Sequence, residues 1–316
     1  MPATPSAPLS APSRPTPANW LTVIALGVIW GASFMSVTVA LQGFGPLAIA
    51  AIRITLAAVA LWLLAWALGQ ALPSPRQAEG RHIWAFALGM GFFSNALPFF
   101  LLAWAQQHVS SGFAGITMAL VPLFTLVLAH HLLTGERMTT VKLAGLALGL
   151  VGVVVLIGPG ALQLGSGLLE PVAQLTCVAA AFCYSIGSIL TRRCPPVNLI
   201  TFSAAALIAA AVMILPVALI AEGLPREAPP LAALLAVIYL GLGPTALATL
   251  LLVQVIRTAG STFLTQTNYH VPVWSVIFGT VFLHEALPGQ FLLALGLILA
   301  GLALSRATRL RLRPGP

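Results

Sequence analysis

The sequence predicts an all-α integral membrane protein, with ten transmembrane helices arranged as two inverted five-helix repeats. Three observations carry that expectation: an apolar composition, an alternating placement of basic residues, and an internal repeat. Of the 316 residues, 59% are hydrophobic and only 6% charged, with a mean hydropathy of +1.02. Soluble domains carry about a quarter charged residues. The acids are Glu79, Glu136, Glu170, Glu222, Glu227 and Glu285, and there is no aspartate. So few acids cannot coat a water-exposed globule of this size, and lipid must be the main solvent.

Taken in order, residues 1–18 hold six prolines and no apolar run, which predicts a disordered cytoplasmic tail. A secretory signal is not expected, because the next apolar stretch is of full spanning length and lacks a small-residue cleavage site. A spanning helix needs roughly 20 apolar residues. Charges and helix breakers then delimit ten candidates: 19–41, 45–69, 82–104, 110–132, 139–158, 171–191, 198–221, 231–253, 261–283 and 289–306. Very short connections make hairpins of the third and fourth, and of the eighth and ninth. The first repeat is expected over 19–158 and the second over 171–306. Residues 307–316 form a basic cytoplasmic tail suited to anionic lipid headgroups.

The positive-inside rule supports the same count. With the N-terminus in the cytoplasm, the cytoplasmic segments hold Arg14, Arg76, Arg81, Arg137, Lys142, Arg192, Arg193, Arg257, Arg306, Arg309, Arg311 and Arg313. The outer loops hold only Arg226, and Arg53 lies inside a span. One span more or fewer would put the later arginines on the wrong side. Both termini are therefore expected in the cytoplasm of a multi-pass protein in a bacterial-type inner membrane.

Sliding the chain by 150 residues aligns 91–133 with 241–283, with 11 of 43 positions identical. Leu and Ala inflate such a match, so the informative pairs are Ser111 with Ser261, Thr117 with Thr267, and Val121-Pro122 with Val271-Pro272. A one-residue slip pairs Glu136 with Glu285. Five spans per copy is an odd number, so the second copy enters the membrane upside down. Inverted repeats are a recurrent plan of secondary transporters, with the binding site near the midplane between them.

Other classes fare worse. The net charge of +8 is scattered between apolar segments, so it reads as topology rather than a nucleic-acid stripe. Cys177, Cys183 and Cys194 have no metal-ligand spacing, and no cofactor or metal is expected. Aspartyl proteolysis is excluded by the lack of aspartate, and neither HExxH nor GxSxG occurs. A Ser–His hydrolase would have to be assembled from His270 and scattered serines, and no catalytic residue is assigned. The only lysine, Lys142, lies near a helix end, which argues against a retinal protein.

From Trp20 to Arg306 the chain resembles the EamA branch of the drug/metabolite transporter superfamily. The likeness rests on Trp30-Gly31-Ala32-Ser33-Phe34 in the first span and on Ile52-Arg53-Ile54 in the second. It rests also on Val121-Pro122 with Gly135-Glu136-Arg137, and on Val271-Pro272 with His284-Glu285-Ala286. The tryptophan motif is not repeated cleanly, since Cys183-Tyr184-Ser185-Ile186-Gly187 stands in its place. The resemblance implies export of small metabolites such as amino acids by alternating access through a central cavity. Drugs, cationic compounds or nucleosides are the alternative cargo. The expected partners are a small-molecule substrate and the bilayer, and the sequence fixes no oligomeric state.

Candidate site residues follow from polarity at depth. Arg53 lies about 12 Å from the start of its helix at 1.5 Å per residue, and an arginine there must face a cavity or a partner. It either attracts a carboxylate, gates the outer mouth, bonds to backbone carbonyls or snorkels. Gln266, Tyr269 and His270 share a helical face beside Pro272, lining a cavity or holding the bundle together. Asn95 and Thr245 are repeat-equivalent, and each neighbours a proline, Pro98 and Pro244. Trp30 with Phe34, and Tyr184 with Ser188, are one turn apart on the first and sixth spans, lining a cavity or packing. Glu136 and Glu285 cap the following helix or act as latches on opposite sides. Pro122 and Pro272 join them as gating or structural positions. His270 is the only deep group able to couple to protons near neutrality.

Overall fold

The computed structural model describes residues 15–134, 138–158, 169–225 and 227–311, with backbone only at 261, 262 and 306–311. The described residues form helices and short connections. Helix α1 (Pro17–Ala40) starts where Thr16 accepts the Asn19 amide and a proline occupies the first turn, a position that suits a residue lacking an N–H. Pro17 and Ala18, expected in the tail, are thus already helical. Helix α2 spans Pro46–Ala67. The third segment is α3 (Ala78–Gly91), a π turn at Phe92–Ala96 and α4 (Leu97–Ala105).

The fourth segment is α5 (Ser111–Thr117), a 3₁₀ turn at Met118–Leu120 and α6 (Val121–Leu132). Pro122 cannot continue an α-helical ladder, and the Val121 amide bonds to Met118 O in the tighter turn. Then come α7 (Thr140–Ile157), α8 (Leu169–Arg193) and α9 (Leu199–Ala221). The eighth segment is α10 (Leu231–Gly241), a π turn at Leu242–Leu247 and α11 (Ala248–Ala259). The ninth is divided into α12 (Ser261–Leu264) and α13 (Thr267–Phe282), and α14 covers Gly289–Arg311. Residues 307–311, expected as tail, therefore continue a helix.

Eight of these segments are long and apolar enough to cross a membrane, and Gly289–Ser305 is a shorter apolar helix. The chain is a multi-pass membrane protein. Its ninth expected span is the interrupted one, broken at Thr265 and Gln266 where bonds run between residues three apart: Asn268 N to Thr265 O and Tyr269 N to Gln266 O.

One exchange rule organises the packing: replacing each segment by the one five places along carries most contacts onto other contacts. Helix α7 packs on α14, and α2 on α9, both pairs being their own images. The pair α1 with α13 maps onto α8 with α6, α3 with α9 onto α10 with α2, and α4 with α8 onto α11 with α1. Small residues set the closest approaches, as between helices in lipid. A Cβ on Gly31 would meet Trp274 Cβ at 2.4 Å and one on Gly27 would meet His270 Cβ at 2.4 Å. Between α7 and α14, a Cβ on Gly145 would lie 2.5 Å from Gly301 O.

Candidate functional site

The two π turns lie at repeat-equivalent positions, and each holds one buried polar residue. A π turn admits an extra residue and leaves a local irregularity in the helix, and such turns recur at functional sites. Asn95 sits in the first and Thr245 in the second, 9% and 6% exposed. Each donates to the carbonyl five residues back: Asn95 Nδ2 to Met90 O at 3.5 Å and Thr245 Oγ1 to Leu240 O at 2.8 Å. Pro244 explains the second of these. Its missing N–H frees the carbonyl four residues earlier, that of Leu240, and the neighbouring hydroxyl takes it up.

Arg53 reaches this second turn. Its Nε–H donates to Thr245 Oγ1 at 2.8 Å, and its guanidinium carbon lies 3.6 Å above the centre of the Phe99 ring. Tyr184 and Tyr239 are close enough to interact electrostatically with it. The Phe99 and Tyr184 rings are 6.4 Å apart in an edge-on arrangement. Arginine stays charged when buried, and Arg53 is 7% exposed. Among the described residues no carboxylate pairs with it, and Nε–H is its only donor with a hydrogen-bond acceptor. Of the sequence alternatives, backbone bonding and snorkelling do not describe it.

Two further bonds stitch α1 to this region. The Trp30 indole donates to Pro244 O at 3.0 Å, and the Tyr239 hydroxyl donates to Ile29 O at 3.2 Å. Trp30 thus holds the π turn in place. Phe34 is buried among Phe113, Ile116 and Val271. Ser188 is half-buried. Gln266 precedes the first turn of α13, and His270 packs against Gly27 of α1. Arg53, Tyr184 and Thr245 are therefore brought together, with Trp30 bonded to the same π turn, while Asn95 lies in the other π turn, one helical turn before Phe99. No described hydrogen bond ties Ser188, Gln266 or His270 to that group, and Tyr269 belongs to the same α13 face. Pro272 lies inside α13, where its carbonyl accepts from Ser275 at 2.8 Å. Phe99 and Tyr239 were not singled out by sequence reasoning.

Carboxylates cross between the halves at one end of the bundle. Glu285 accepts from Ser111 N at 2.8 Å and Gly112 N at 3.1 Å, at the start of α5. Glu222 does the same to Leu47 N at 2.9 Å and Ala48 N at 2.8 Å, at the start of α2. First-turn amides have no partner within their own helix and sit at the positive end of its dipole. Glu285 therefore caps a helix of the other half rather than the one that follows it. His284, at a φ of 53°, turns the chain back so that Glu285 can reach. Glu136 lies outside the described residues.

The model of the EamA-like transporter family matches residues 19–158 and 172–307. The chain belongs to that family. An uncharacterized inner membrane transporter, YedA of Escherichia coli K12, is 29% identical over 89% of this chain and 88% of its own length. A probable terminal-alkyne amino-acid exporter of Streptantibioticus cattleyicolor is 28% identical over 91% and 92%. An S-adenosylmethionine/S-adenosylhomocysteine transporter of Chlamydia trachomatis is 29% identical over 86% and 84%. A crystal structure of a 24% identical protein shares the fold with a TM-score of 0.67, over 93% of this chain and 99% of that one. This EamA protein is thus an inner-membrane transporter.

Proposed function

We propose that this protein is a ten-span exporter of small carboxylate-bearing metabolites, amino acids first among them, working by alternating access between two inverted halves. One observation carries the reading. Arg53 is a buried cation with an unused donor fork, set among Phe99, Tyr184 and Tyr239 beside a π turn. The planar guanidinium fork matches a carboxylate geometrically, and the rings around it suit an apolar side chain. The same charge repels cationic drugs, and nucleosides offer it no carboxylate. Amino acids, S-adenosylmethionine and S-adenosylhomocysteine all carry an α-amino carboxylate, which agrees with the cargo named for two relatives. Export is the direction named for one of them.

The distribution of arginine and lysine supports an orientation with both termini in the cytoplasm. In that orientation the Glu222 and Glu285 caps lie at the outer end and hold it closed. Glu285 then gates, together with Glu136 at the cytoplasmic end.

The test is solute counterflow in liposomes, with amino acids, simple carboxylates, nucleosides and cationic dyes as candidates. Saturable exchange of carboxylate-bearing solutes alone is expected. Exchange of cations or nucleosides with no carboxylate taken would overturn the reading, as would hydrolytic activity without any exchange.

A further inference from the structure

The two π turns are copies of one another, yet they face different neighbours. Gly241, just before the second turn, lies against α2, and a Cβ there would meet Arg53 O at 3.1 Å. Its repeat partner Gly91 lies against α9, where a Cβ would meet Ala206 O at 2.5 Å. The place that Arg53 holds in α2 is therefore held in α9 by Ala206, which is fully buried and ends at a methyl group. The pseudo-symmetric site is charged in one half and short in the other.

The hydrogen bonds differ in step. Thr245 donates backward to Leu240 O and its oxygen accepts from Arg53. Asn95 donates backward to Met90 O, which fixes Nδ2 toward the backbone and leaves Oδ1 as the outward atom. Among the described residues nothing donates to that oxygen. Asn95 is 9% exposed, and its oxygen stands within the bundle as an acceptor that no protein group answers. Phe99, beneath the Arg53 guanidinium, follows Asn95 by one helical turn, a rise of about 5.4 Å. Phe99 thus connects the helix that carries the acceptor with the cation.

We propose that Asn95 Oδ1 receives the ammonium group of a zwitterionic substrate whose carboxylate is held by the Arg53 guanidinium. In one half the acceptor oxygen is answered by a protein cation, and in the other by the ligand. The assignment rests on the carboxylate reading of Arg53 and adds the substrate's second charge. A neutral amide oxygen suits this place better than a carboxylate would, since an acidic neighbour would pair with Arg53 and close the site.

Three probes of one side chain separate the charges: phenylalanine, 3-phenylpropanoate and phenethylamine, tested for saturable counterflow in liposomes. In the unaltered protein phenylalanine should half-saturate at a concentration at least about tenfold below phenylpropanoate, the ratio expected for one good hydrogen bond to a charged group. Asn95→Leu should bring that ratio close to one while phenylpropanoate is still carried. The near-isosteric Asn95→Asp should instead pair with Arg53 and lower transport of both carboxylates. An unchanged ratio in Asn95→Leu overturns the ammonium subsite alone. Transport of both carboxylates undiminished in Arg53→Gln overturns the reading beneath it, and failure of the unaltered protein to carry either carboxylate overturns both.

Discussion

A guanidinium stacked on Phe99 and tied at one corner to Thr245 has no other hydrogen-bond acceptor among the described residues. Hydrogen bonds to charged groups contribute about 1.5–3 kcal/mol, and each 1.4 kcal/mol is tenfold in affinity. Arg53→Gln should therefore raise the half-saturation of a carboxylate substrate by roughly ten- to a hundredfold. Arg53→Lys should recover part of that, because it keeps the charge and loses the planar fork; concentration-dependent counterflow measures both. Arg53 was legible in the sequence as the one arginine within a span. Its aromatic partners were not, because Phe99 and Tyr239 sit in runs of apolar residues and acquire meaning only when α4 and α10 pack beside α2. Asn95 and Thr245 were readable as a pair through the repeat, although the π turns that present them were not. A proline marks a break without stating which turn replaces the ladder.

Helix contacts at the element scale depend on glycines that admit a neighbour's side chain. The Gly27 and Gly31 pair receives His270 and Trp274 of α13. Gly31→Val would drive two methyl groups into Trp274 and should cost about 1–3 kcal/mol, the usual range for overpacking. A lowered thermal midpoint in detergent, with Gly31→Ala intermediate, would check it. This spacing explains why His270, the deepest histidine in the sequence, is occupied in packing α13 onto α1. His284 offers the opposite case. A left-handed backbone suits glycine best, so His284→Gly should keep the Glu285 cap and stabilise the protein by about 1 kcal/mol. That turn was not legible in the sequence, since histidine does not announce a positive φ, and the helix that Glu285 caps is not the following one that capping chemistry suggested. Capping chemistry was recognisable, but the partner lies 174 positions away and depends on how the halves meet.

Most helix contacts map onto one another when each segment is exchanged for its counterpart, and the halves meet along α2 on α9 and α7 on α14. Hydropathy was enough to foresee an all-helical multi-pass chain, because it reports the bilayer rather than local packing. The Glu222 and Glu285 caps cross the seam at one end, so opening that end must break them. Glu285→Ala leaves the first amides of α5 uncapped, a loss of about 1–2 kcal/mol. It should shift the population toward the state open at that end. A cysteine at Ser110 should then react several-fold faster with an impermeant thiol reagent added outside intact cells, in a background lacking the native cysteines. An unchanged rate would remove Glu285 from gating.

The central claim is that a carrier alternates access around Arg53 and takes carboxylates there. Its most direct test is trans-stimulation in liposomes held at zero membrane potential. Labelled amino acid should leave faster when unlabelled amino acid is present on the far side, saturably, and this acceleration should be lost in Arg53→Gln. Flux that neither saturates nor responds to solute on the far side, or acceleration that survives in Arg53→Gln, would contradict it.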